Sequence, residues 1–252
     1  MKYKIYSKNP LEEKILSKFN EFEESNAPDF AFSFGGDGTF LKSHRLLHNS
    51  HKNVIYVPFN LGHIGFYTEY KIEDLDNVLS EIKAKTYSIR TYPKLLIEVE
   101  GKEEQKSTEA INEIAITNPI GTAVIDIYIN EELFETYRGT GLLVSTPSGS
   151  TAYNKSVGGS IIDLNIDAMQ ITEIAPINNR VYKSLNSSLI VSKDTVIELV
   201  IHNKDNTFLC VDGKSFSEGE IEKVRVTYSP NKIKVMCKNS NQFTKIKNTF
   251  LK

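Results

Sequence analysis

The sequence predicts an α/β N-terminal domain with a parallel sheet, followed by a β-rich C-terminal domain. Over residues 1–91, strand-like apolar runs alternate with amphipathic stretches of helical spacing. This alternation is typical of βαβ units and a parallel sheet. After Pro93, nearly every apolar run is short and strand-like, with turn residues between the runs. We therefore place the domain boundary near Thr91.

The composition is that of an ordinary folded protein. Of the 252 residues, 40% are hydrophobic and 25% are charged, which is enough apolar surface for a sizeable core and too much for a disordered chain. The 30 basic and 32 acidic residues give a net charge of -2, which favours neither a nucleic acid nor an anionic membrane as partner. The sequence shows no signal-peptide apolar region and no run of the ~20 apolar residues that a membrane span needs. We expect a cytoplasmic protein in which Cys210 and Cys237 are reduced core thiols.

The elements of the first part follow from local patterns. Leu11, Ile15 and Phe19 are spaced four residues apart, as on one face of a helix. The run FAFSF is short, aromatic and mostly apolar, which predicts a buried strand. In chain order we predict strands at 1–7, 30–34 and 53–59, helices at 10–22, 39–48 and 72–85, and a glycine-containing loop at 60–65.

The second part is predicted to consist almost entirely of strands. Asn130-Glu131-Glu132 predicts a hairpin turn, and the small hydroxyl residues from Ser148 onward predict the start of a helix at 148–158. The last residues mix lysines with apolar side chains, which predicts a segment that packs by its apolar side and leaves its lysines solvated. The predicted strands lie at 95–100, 110–117, 124–130, 133–138, 142–146, 171–176, 189–192, 196–201, 207–211, 224–228 and 233–238.

The clearest chemical signal is Gly35-Gly36-Asp37-Gly38-Thr39, between a predicted buried strand and a predicted helix. Glycines let a ligand approach the backbone closely, and the N–H groups of such a turn and of the next helix form an anion site. A carboxylate there would repel phosphate, so we interpret Asp37 as a general base or a metal contact. The alternative is an ordinary strand–helix turn with a solvated aspartate.

Two further segments carry polar side chains. Asn112-Glu113 stands at a predicted strand start, where both side chains can reach one ligand only at a strand end or a bulge. Residues 146–156, TPSGSTAYNKS, suit hydrogen bonding to a sugar or an amide, and Tyr153 can stack on a base. The alternatives are a pair of solvated polar residues and an ordinary capped helix.

The loop at 60–67, NLGHIGFY, follows a predicted buried strand, and such loops line sites at the carboxyl edge of α/β sheets. Its Phe66 and Tyr67 either flank a base or pack in the core. His44, His48 and His51 are candidate metal ligands without an HExxH motif or a nearby cysteine, so we interpret them as surface helix histidines.

Together these segments resemble the NAD kinase family. The NE pair and the STPSGSTAYNKS run are specific to that family, whereas GGDGT alone is shared with diacylglycerol, sphingosine and phosphofructo-kinases. The matching stretches are FGGDGTFLKS at 34–43, NLGHIGFY at 60–67, INEIAI at 111–116, YRGTGLLVSTPSGSTAYNKSVGG at 137–159, EIAPINNR at 173–180 and VDG at 211–213.

The resemblance implies a bacterial ATP-dependent NAD kinase, which transfers the γ-phosphoryl group of ATP to the 2′-hydroxyl of the adenosine ribose of NAD and makes NADP. It implies a Rossmann-like α/β domain at 1–91, joined by the C-terminal segment 229–252, and a β-rich NAD-binding domain at 92–228. It also implies a divalent metal ion, Mg²⁺, that is held by the ATP phosphates rather than by protein side chains. The family assembles into homodimers or homotetramers.

The resemblance also assigns roles to single residues. Asp37 falls on the position of the catalytic base. The implied ATP-phosphate contacts are Gly35, Gly36, Gly38, Thr39 and Lys42. The implied NAD contacts are Asp37, Gly38, Phe66, Tyr67, Asn112, Glu113, Arg138, Thr140, Ser148, Thr151, Ala152, Tyr153, Asn154, Lys155, Ser156 and Ala175.

One departure from the family pattern and two rival functions stay open. The family has G-D-G or S-D-G where this chain has Gly139-Thr140-Gly141, so Thr140 lacks a carboxylate that contacts the nicotinamide half.

A lipid or sphingoid kinase would share GGDGT but would need an apolar acceptor cleft, which the polar run at 146–156 argues against. A non-catalytic NAD(P)-binding sensor is favoured by Thr140, whereas the retained Asp37 argues against it.

Overall fold

A computed structural model describes residues 1–47, 53–62, 65–102, 105–216, 221–238 and 241–251. The chain divides into two compact units, one formed by Met1–Tyr92 with Ile233–Lys252 and the other by Pro93–Lys232. The first unit is α/β with a mainly parallel sheet and the second is β-rich with an antiparallel sheet, which confirms the predicted fold class. Within the described ranges, no helix is both long enough and apolar enough to span a membrane.

The first part of unit 1 follows the predicted alternation, with one error. The predicted helix at 10–22 is wrong, because only four residues are α-helical and a 3₁₀ turn at Ser17–Phe19 follows them. The chain must turn there to bring Glu23–Glu24 alongside the first strand, while Ile15 and Phe19 fill the core. The elements are β1 (Lys2–Ser7), α1 (Glu13–Leu16), β2 (Glu23–Glu24), β3 (Phe30–Gly35), α2 (Asp37–Leu47), β4 (Ile55–Asn60), β5 (Tyr70–Lys71), α3 (Leu75–Ala84) and β6 (Ser88–Tyr92).

Unit 2 consists of strands joined by turns, with one short helix. Asn130 and Glu131 have φ angles of 50° and 71° and form the two-residue turn of the predicted hairpin. The elements are β7 (Leu95–Gly101), β8 (Gln105–Ala110), β9 (Glu113–Thr117), β10 (Ala123–Ile129), β11 (Glu132–Ser145), α4 (Tyr153–Ser156), β12 (Ala168–Pro176), β13 (Leu189–Ser192), β14 (Ile197–Ile201), β15 (Phe208–Val211), β16 (Lys214–Ser215) and β17 (Ile221–Tyr228).

The end of the chain belongs to unit 1. It contributes the strand β18 (Ile233–Cys237) and the helix α5 (Gln242–Phe250), whose first turn is capped by the Asn241 side chain. β18 lies between β4, to which it is parallel, and β6, to which it is antiparallel. The sheet order is therefore β2-β1-β3-β4-β18-β6, with β5 beside β4. The expectation that all lysines of this segment are solvated is wrong, because Lys245 is buried.

The core of unit 1 brings the ends of two parallel strands together. The rings of Phe34 on β3 and Phe59 on β4 stack with centroids 5.0 Å apart. One residue later, Gly35 is paired with Asn60. The loops after β3 and β4 therefore start side by side at the carboxyl edge of the sheet, where α/β proteins place their sites.

The strand β11 organises the eleven-stranded sheet of unit 2. Its first half pairs with β10, and its second half lies between β9 and β12. The prediction of two strands at 133–138 and 142–146 is wrong, because the chain runs straight through Gly139 and Gly141. A Cβ at Gly139 would lie 2.0 Å from the Tyr137 hydroxyl, and one at Gly141 would lie 2.2 Å from the Ile116 carbonyl oxygen. These glycines permit close packing within the sheet rather than a turn.

Two other predicted elements of unit 2 are divided in the structure. The predicted strand at 110–117 is interrupted at Ile111 and Asn112, between β8 and β9. The predicted helix at 148–158 is reduced to a 3₁₀ turn at Gly149–Thr151 and the four residues of α4. Both breaks lie where side chains hydrogen-bond the backbone.

Both cysteines are free thiols, and Cys237 is buried whereas Cys210 is half-buried.

Candidate functional site

The GGDGT motif forms the turn between β3 and α2. The helix begins at Asp37 rather than at Thr39, so the carboxylate belongs to the first helical turn. The N–H groups of Thr39 and Phe40 donate to the Gly36 carbonyl oxygen at 2.9 and 3.3 Å. The preceding N–H groups have no intrahelical acceptor, and the helix dipole adds partial positive charge there. This turn can therefore bind an anion.

Glycine is present at the three positions of the motif for different structural reasons. A Cβ at Gly35 would lie 2.1 Å from the Thr39 hydroxyl oxygen, so Gly35 is needed for packing within the turn. Gly36 and Gly38 are exposed, and a Cβ at either would meet no atom of the described residues within 4 Å. Their missing side chains leave the backbone accessible, as a phosphate contact requires. Lys42 is exposed one turn further along α2.

The Asp37 carboxylate is held by the loop that follows β4. Oδ2 accepts the Phe66 N–H at 2.7 Å, while Oδ1 accepts the N–H groups of Tyr67 and Thr68 at 3.1 and 3.2 Å. Oδ1 also accepts the Thr68 hydroxyl at 3.1 Å. Three of the four hydrogen bonds thus converge on Oδ1, which leaves Oδ2 as the oxygen with spare acceptor capacity. The carboxylate is fixed in place and can still accept a proton.

Two residues of this loop, missed by the sequence analysis, fix the position of Asp37. A Cβ at Gly65 would lie 2.3 to 2.5 Å from the three carboxylate atoms of Asp37, so any side chain there would displace the carboxylate. The Thr68 hydroxyl is buried and also accepts hydrogen bonds from Gly65 N–H and Asn60 Nδ2. The glycine spacing of NLGHIGFY was the signal for this contact. His63 and Ile64 of the loop lie outside the described residues.

The aromatic residues of this loop differ in their surroundings. The Tyr67 ring is buried between Phe40 and Tyr92, with centroid distances of 4.7 and 5.0 Å. Of the two alternatives for Tyr67, its ring therefore packs in the core. Its backbone N–H is the group that contacts Asp37. The Phe66 ring is half-buried and packs against Phe250.

The interpretation of the histidines as surface residues is wrong for His44. Its ring is buried beside Tyr56, with the ring centroids 5.6 Å apart. The core of unit 1 places this face of α2 against β4. His48 and His51 lie outside the described residues. No group of three His, Cys, Asp or Glu side chains in the described part of the chain could hold a metal ion.

In unit 2, three chain segments meet at one end of the sheet. β9 starts there, and its antiparallel neighbours β11 and β15 end there. The Asp212 carboxylate accepts the N–H groups of Ile111, Asn112 and Glu113 at 2.9, 2.7 and 3.2 Å. Asp212 thereby fixes the backbone of the predicted NE pair. VDG was part of the resemblance, but no role was predicted for Asp212.

Glu113 is a buried acid in unusual surroundings. Its Oε2 has no hydrogen-bond partner in the described part of the protein, and the Tyr153 N–H is the backbone donor to the carboxyl group. Burial, reinforced by the negative charge of Asp212, raises the pKa of Glu113 to about 8. Glu113 is thus mostly protonated at neutral pH, so it can donate a hydrogen bond as well as accept one.

The turn after β11 packs against the NE pair. The hydroxyl groups of Thr146 and Ser148 donate to the Ile111 carbonyl oxygen at 2.6 and 3.2 Å. A Cβ at Gly149 would lie only 2.0 Å from the Asn112 carbonyl oxygen. The structure therefore brings Asn112, Glu113 and Ser148 together, as the sequence placed them in one site.

The remaining predicted residues of this turn are divided between the interior and the surface. Asn154 is buried, where its side chain accepts the Thr172 hydroxyl at 2.7 Å and donates to the carbonyl oxygens of Ser150 and Ser160. That position stabilises the turn itself. Thr151 and Ala152 are half-buried, whereas Tyr153, Lys155 and Ser156 are exposed.

A second group of predicted NAD contacts lies further along β11. Gly139 and Gly141, which flank Thr140, pair with Pro176 and Ile174 of β12, so Thr140 and Ala175 are close in register. The Arg138 guanidinium lies 4.6 Å from the Tyr182 ring centroid. Thr140 is five residues before Ser145, roughly 16 Å along a strand. The structure thus separates Arg138, Thr140 and Ala175 from the group around Asn112.

Both units match models of one protein family. The model described as the ATP-NAD kinase N-terminal domain matches residues 2–87, and the model described as the ATP-NAD kinase C-terminal domain matches residues 109–238. An NAD kinase of Streptococcus pneumoniae is 36% identical over 257 residues, covering 98% of this chain and 94% of that protein. This chain belongs to the NAD kinase family. The resemblance predicted from the motifs is confirmed.

Solved structures share the fold of this NAD kinase family member. A yeast NADH kinase complexed with NADH matches with a TM-score of 0.80 at 24% identity, covering 91% of this chain and 66% of the yeast chain. An NAD kinase from Archaeoglobus fulgidus in complex with ATP matches with a TM-score of 0.79 at 21% identity, covering 98% of this chain and 99% of that one. At these identities the likeness establishes the common fold.

Proposed function

We propose that this chain is an NAD kinase, which transfers the γ-phosphoryl group of ATP to the 2′-hydroxyl of the adenosine ribose of NAD⁺ and forms NADP⁺. The observation that carries the proposal is the Asp37 carboxylate, held by four hydrogen bonds inside a glycine turn at the N-terminus of α2. An anion site with a fixed proton acceptor suits phosphoryl transfer to an alcohol. Membership of the NAD kinase family identifies that alcohol as the ribose hydroxyl.

In the proposed reaction, Asp37 acts as the general base. A ribose hydroxyl is a poor nucleophile, so Oδ2 of Asp37 takes its proton as the hydroxyl oxygen attacks the γ-phosphorus. A new bond forms between the 2′-oxygen and phosphorus, the bond from phosphorus to the β,γ-bridging oxygen breaks, and ADP leaves. The backbone N–H groups of Gly36 and Gly38 stabilise negative charge on the phosphoryl oxygens. Gly35 and Thr39 shape this turn, and Lys42 supplies a positive charge near it.

Unit 2 supplies most of the NAD contacts in this proposal. Asn112 and Glu113 bind the ribose, and the protonated Glu113 donates one of the hydrogen bonds. Tyr153 offers an exposed ring for stacking on a base. The other proposed NAD contacts are Gly38, Phe66, Tyr67, Arg138, Thr140, Ser148, Thr151, Ala152, Asn154, Lys155, Ser156 and Ala175.

The proposal also covers the metal ion, the assembly and the compartment. When bound to the ATP phosphates, Mg²⁺ supplies charge neutralisation. We assign it no protein side chain. We further propose a cytoplasmic homodimer or homotetramer, as the family resemblance implies.

The decisive experiment incubates the purified protein with ATP, Mg²⁺ and NAD⁺ and measures NADP⁺ with an NADP-specific dehydrogenase. Parallel reactions replace NAD⁺ with sphingosine or diacylglycerol, and a calorimetric titration measures NAD⁺ binding without ATP. We expect NADP⁺ and no lipid phosphate. NAD⁺ binding without turnover would instead identify a sensor, and lipid phosphorylation would identify a lipid kinase.

A further inference from the structure

The helix α5 contributes a buried cation directly behind the loop that holds Asp37. The Lys245 Nζ donates to the Phe66 carbonyl oxygen at 2.7 Å and to Glu69 Oε1 at 2.5 Å. Both side chains are almost completely buried, with 9% of the Lys245 side chain and 4% of the Glu69 side chain exposed. A buried ammonium group is retained only where several partners compensate for its lost hydration.

The partners of this cation lead directly to the Asp37 carboxylate. Phe66 donates its backbone N–H to Asp37 Oδ2, and its carbonyl oxygen accepts from Lys245. Lys245 therefore fixes the residue that contacts the oxygen with spare acceptor capacity. The rings of Phe66 and Phe250 pack together, which adds a second contact between α5 and this loop.

The other end of the loop is held by the hydrogen bonds of the Glu69 side chain. Glu69 Oε1 also accepts Arg90 at 3.0 Å, and Oε2 accepts the Lys238 N–H at 3.0 Å. Burial lowers the pKa of Lys245 below its usual range, while the negative charges of Glu69 and Asp37 oppose that shift. The ammonium group thus lies within electrostatic reach of Asp37 as well as in contact with its loop.

We infer that Lys245 is a positioning residue for phosphoryl transfer: it holds the Phe66–Glu69 segment so that the backbone N–H groups of this segment fix the Asp37 carboxylate. This inference rests on the proposed role of Asp37 as base. We assign Lys245 no contact with either nucleotide, because its side chain is buried and its ammonium group donates to Phe66 and Glu69. Its loss should therefore lower kcat and leave the KM for ATP nearly unchanged. The KM for NAD⁺ should rise less than kcat falls, because Phe66 and Tyr67 are themselves proposed NAD contacts.

The test compares Lys245→Met with Lys247→Met, an exposed lysine of the same helix. We expect Lys245→Met to lower kcat about 10- to 100-fold, with the KM for ATP within about threefold and a smaller change in the KM for NAD⁺ than in kcat. Lys245→Arg should recover part of the loss. Lys247→Met should match the wild type. Amide hydrogen exchange provides a readout that does not depend on turnover. Exchange at Phe66, Tyr67 and Thr68 should be at least about tenfold faster in Lys245→Met, with β3 unchanged.

A double variant keeps the inference testable if the loss of the buried positive charge beside Glu69 prevents folding of Lys245→Met. Lys245→Met with Glu69→Gln removes both charges of the buried pair, and kcat should stay low because Phe66 still lacks its donor. A kcat restored by the double variant, or unchanged exchange in Lys245→Met with kcat within twofold of the wild type, would overturn the inference. If the wild type makes no NADP⁺ while exchange still accelerates in Lys245→Met, the proposed function fails and the positioning contact stands.

Discussion

The carboxyl groups of Asp37, Asp212 and Glu113 differ in their hydrogen-bond partners. Asp37 accepts four hydrogen bonds and Asp212 accepts three from consecutive backbone N–H groups. Such donors offset the cost of removing a carboxylate from water. Glu113 is more deeply buried than either aspartate but has an oxygen without a partner in the described part of the chain. The two aspartates therefore act as fixed anchors, whereas Glu113 is held in its neutral form.

Replacing Asp37 by Asn should separate its chemical role from its anchoring role. The amide cannot take the ribose proton, so we expect kcat to fall roughly 10²- to 10⁴-fold with little change in NAD⁺ affinity. The amide NH₂ cannot accept a hydrogen bond, so at least one loop N–H loses its acceptor and stability falls by about 1–3 kcal/mol. Steady-state kinetics and urea unfolding measure the two effects. Asp76→Asn, at an exposed position of α3, is the control. A near-normal kcat in Asp37→Asn would exclude Asp37 as the base.

Replacing Asn112 by Ala should weaken NAD⁺ binding selectively. The variant removes a side chain proposed to bond the ribose, so we expect a loss of about 1–3 kcal/mol in NAD⁺ affinity and a much smaller change for ATP. Calorimetric titration with each nucleotide measures both. Asn165→Ala, at an exposed position of the same unit, should bind like the wild type. Equal losses for both nucleotides would contradict the assignment.

The raised pKa of Glu113 predicts a pH-dependent stability. Between the ordinary glutamate value of 4.5 and the folded value of about 8, the folded state holds a proton that the unfolded state has lost. Stability therefore falls as pH rises through this window. Glu113→Gln keeps a neutral side chain and removes this dependence. We expect the stability of the variant relative to the wild type to increase by on the order of 1–3 kcal/mol between pH 5 and pH 8.5. Urea unfolding at both pH values measures the gain.

A control variant separates this effect from general pH sensitivity. Glu132→Gln changes an exposed acid next to the hairpin turn, and its stability relative to the wild type should stay constant over the same range. A constant difference between Glu113→Gln and the wild type would show that Glu113 ionises normally in the folded protein.

At the scale of elements, both candidate clusters are turns whose backbone touches a neighbouring segment. Gly65 lies against the Asp37 side chain, and Gly149 lies against the Asn112 carbonyl oxygen. The first contact joins the β3–α2 turn to the loop after β4. The second joins the turn after β11 to the start of β9. In each case a missing side chain sets the distance between two elements.

The substitution Gly149→Ala should disturb both the turn and the NE pair. Its Cβ would lie 2.0 Å from a backbone oxygen, which no rotamer change can relieve. We expect a stability loss of about 1–3 kcal/mol and weaker NAD⁺ binding. Gly62→Ala, whose Cβ would come no closer than 3.9 Å to another residue, should change stability little. Thermal unfolding and NAD⁺ titration of both variants decide the matter, and equal stabilities would contradict the close contact.

At the scale of the whole molecule, unit 1 is discontinuous in sequence and unit 2 is continuous. Unit 2 has its own core, which includes Leu95, Ile125 and Val224. Unit 1 needs β18, which lies inside its sheet between β4 and β6. Tyr92 is paired directly with Ile233, so the whole of unit 2 is inserted between two neighbouring residues of one antiparallel ladder.

This insertion predicts how fragments of the chain behave. The fragment 93–232 should fold alone. The fragment 1–92 should not, because its sheet lacks β18. Joining Tyr92 to Ile233 through Asn-Gly should restore folding, since a two-residue turn closes such a pair. Far-UV circular dichroism and cooperative urea unfolding measure each fragment. A stably folded 1–92 fragment would show that β18 is dispensable.

Periodicity and motifs were sufficient for the fold class and for much of the candidate sites. Strand runs such as FAFSF, the hairpin at Asn130 and the turn around Asp37 depend on neighbours in sequence, and the structure has them within a few residues. The motifs also named Asn112 and Glu113. They missed Gly65, Thr68 and Asp212 as parts of the two clusters, since a glycine, a threonine and an aspartate are ordinary in loops.

Local pattern and short motifs are enough to establish the two structural classes, most strand positions and the family of this protein. Three features follow from the folded structure alone: β11 is one strand, Tyr67 packs in the core, and Lys245 is buried behind the Asp37 loop. Each depends on a contact between distant residues, such as Lys245 with Phe66 or Asp212 with Asn112. Local patterns contain no information about such partners, because burial and hydrogen bonding are set by the segments that the fold brings together.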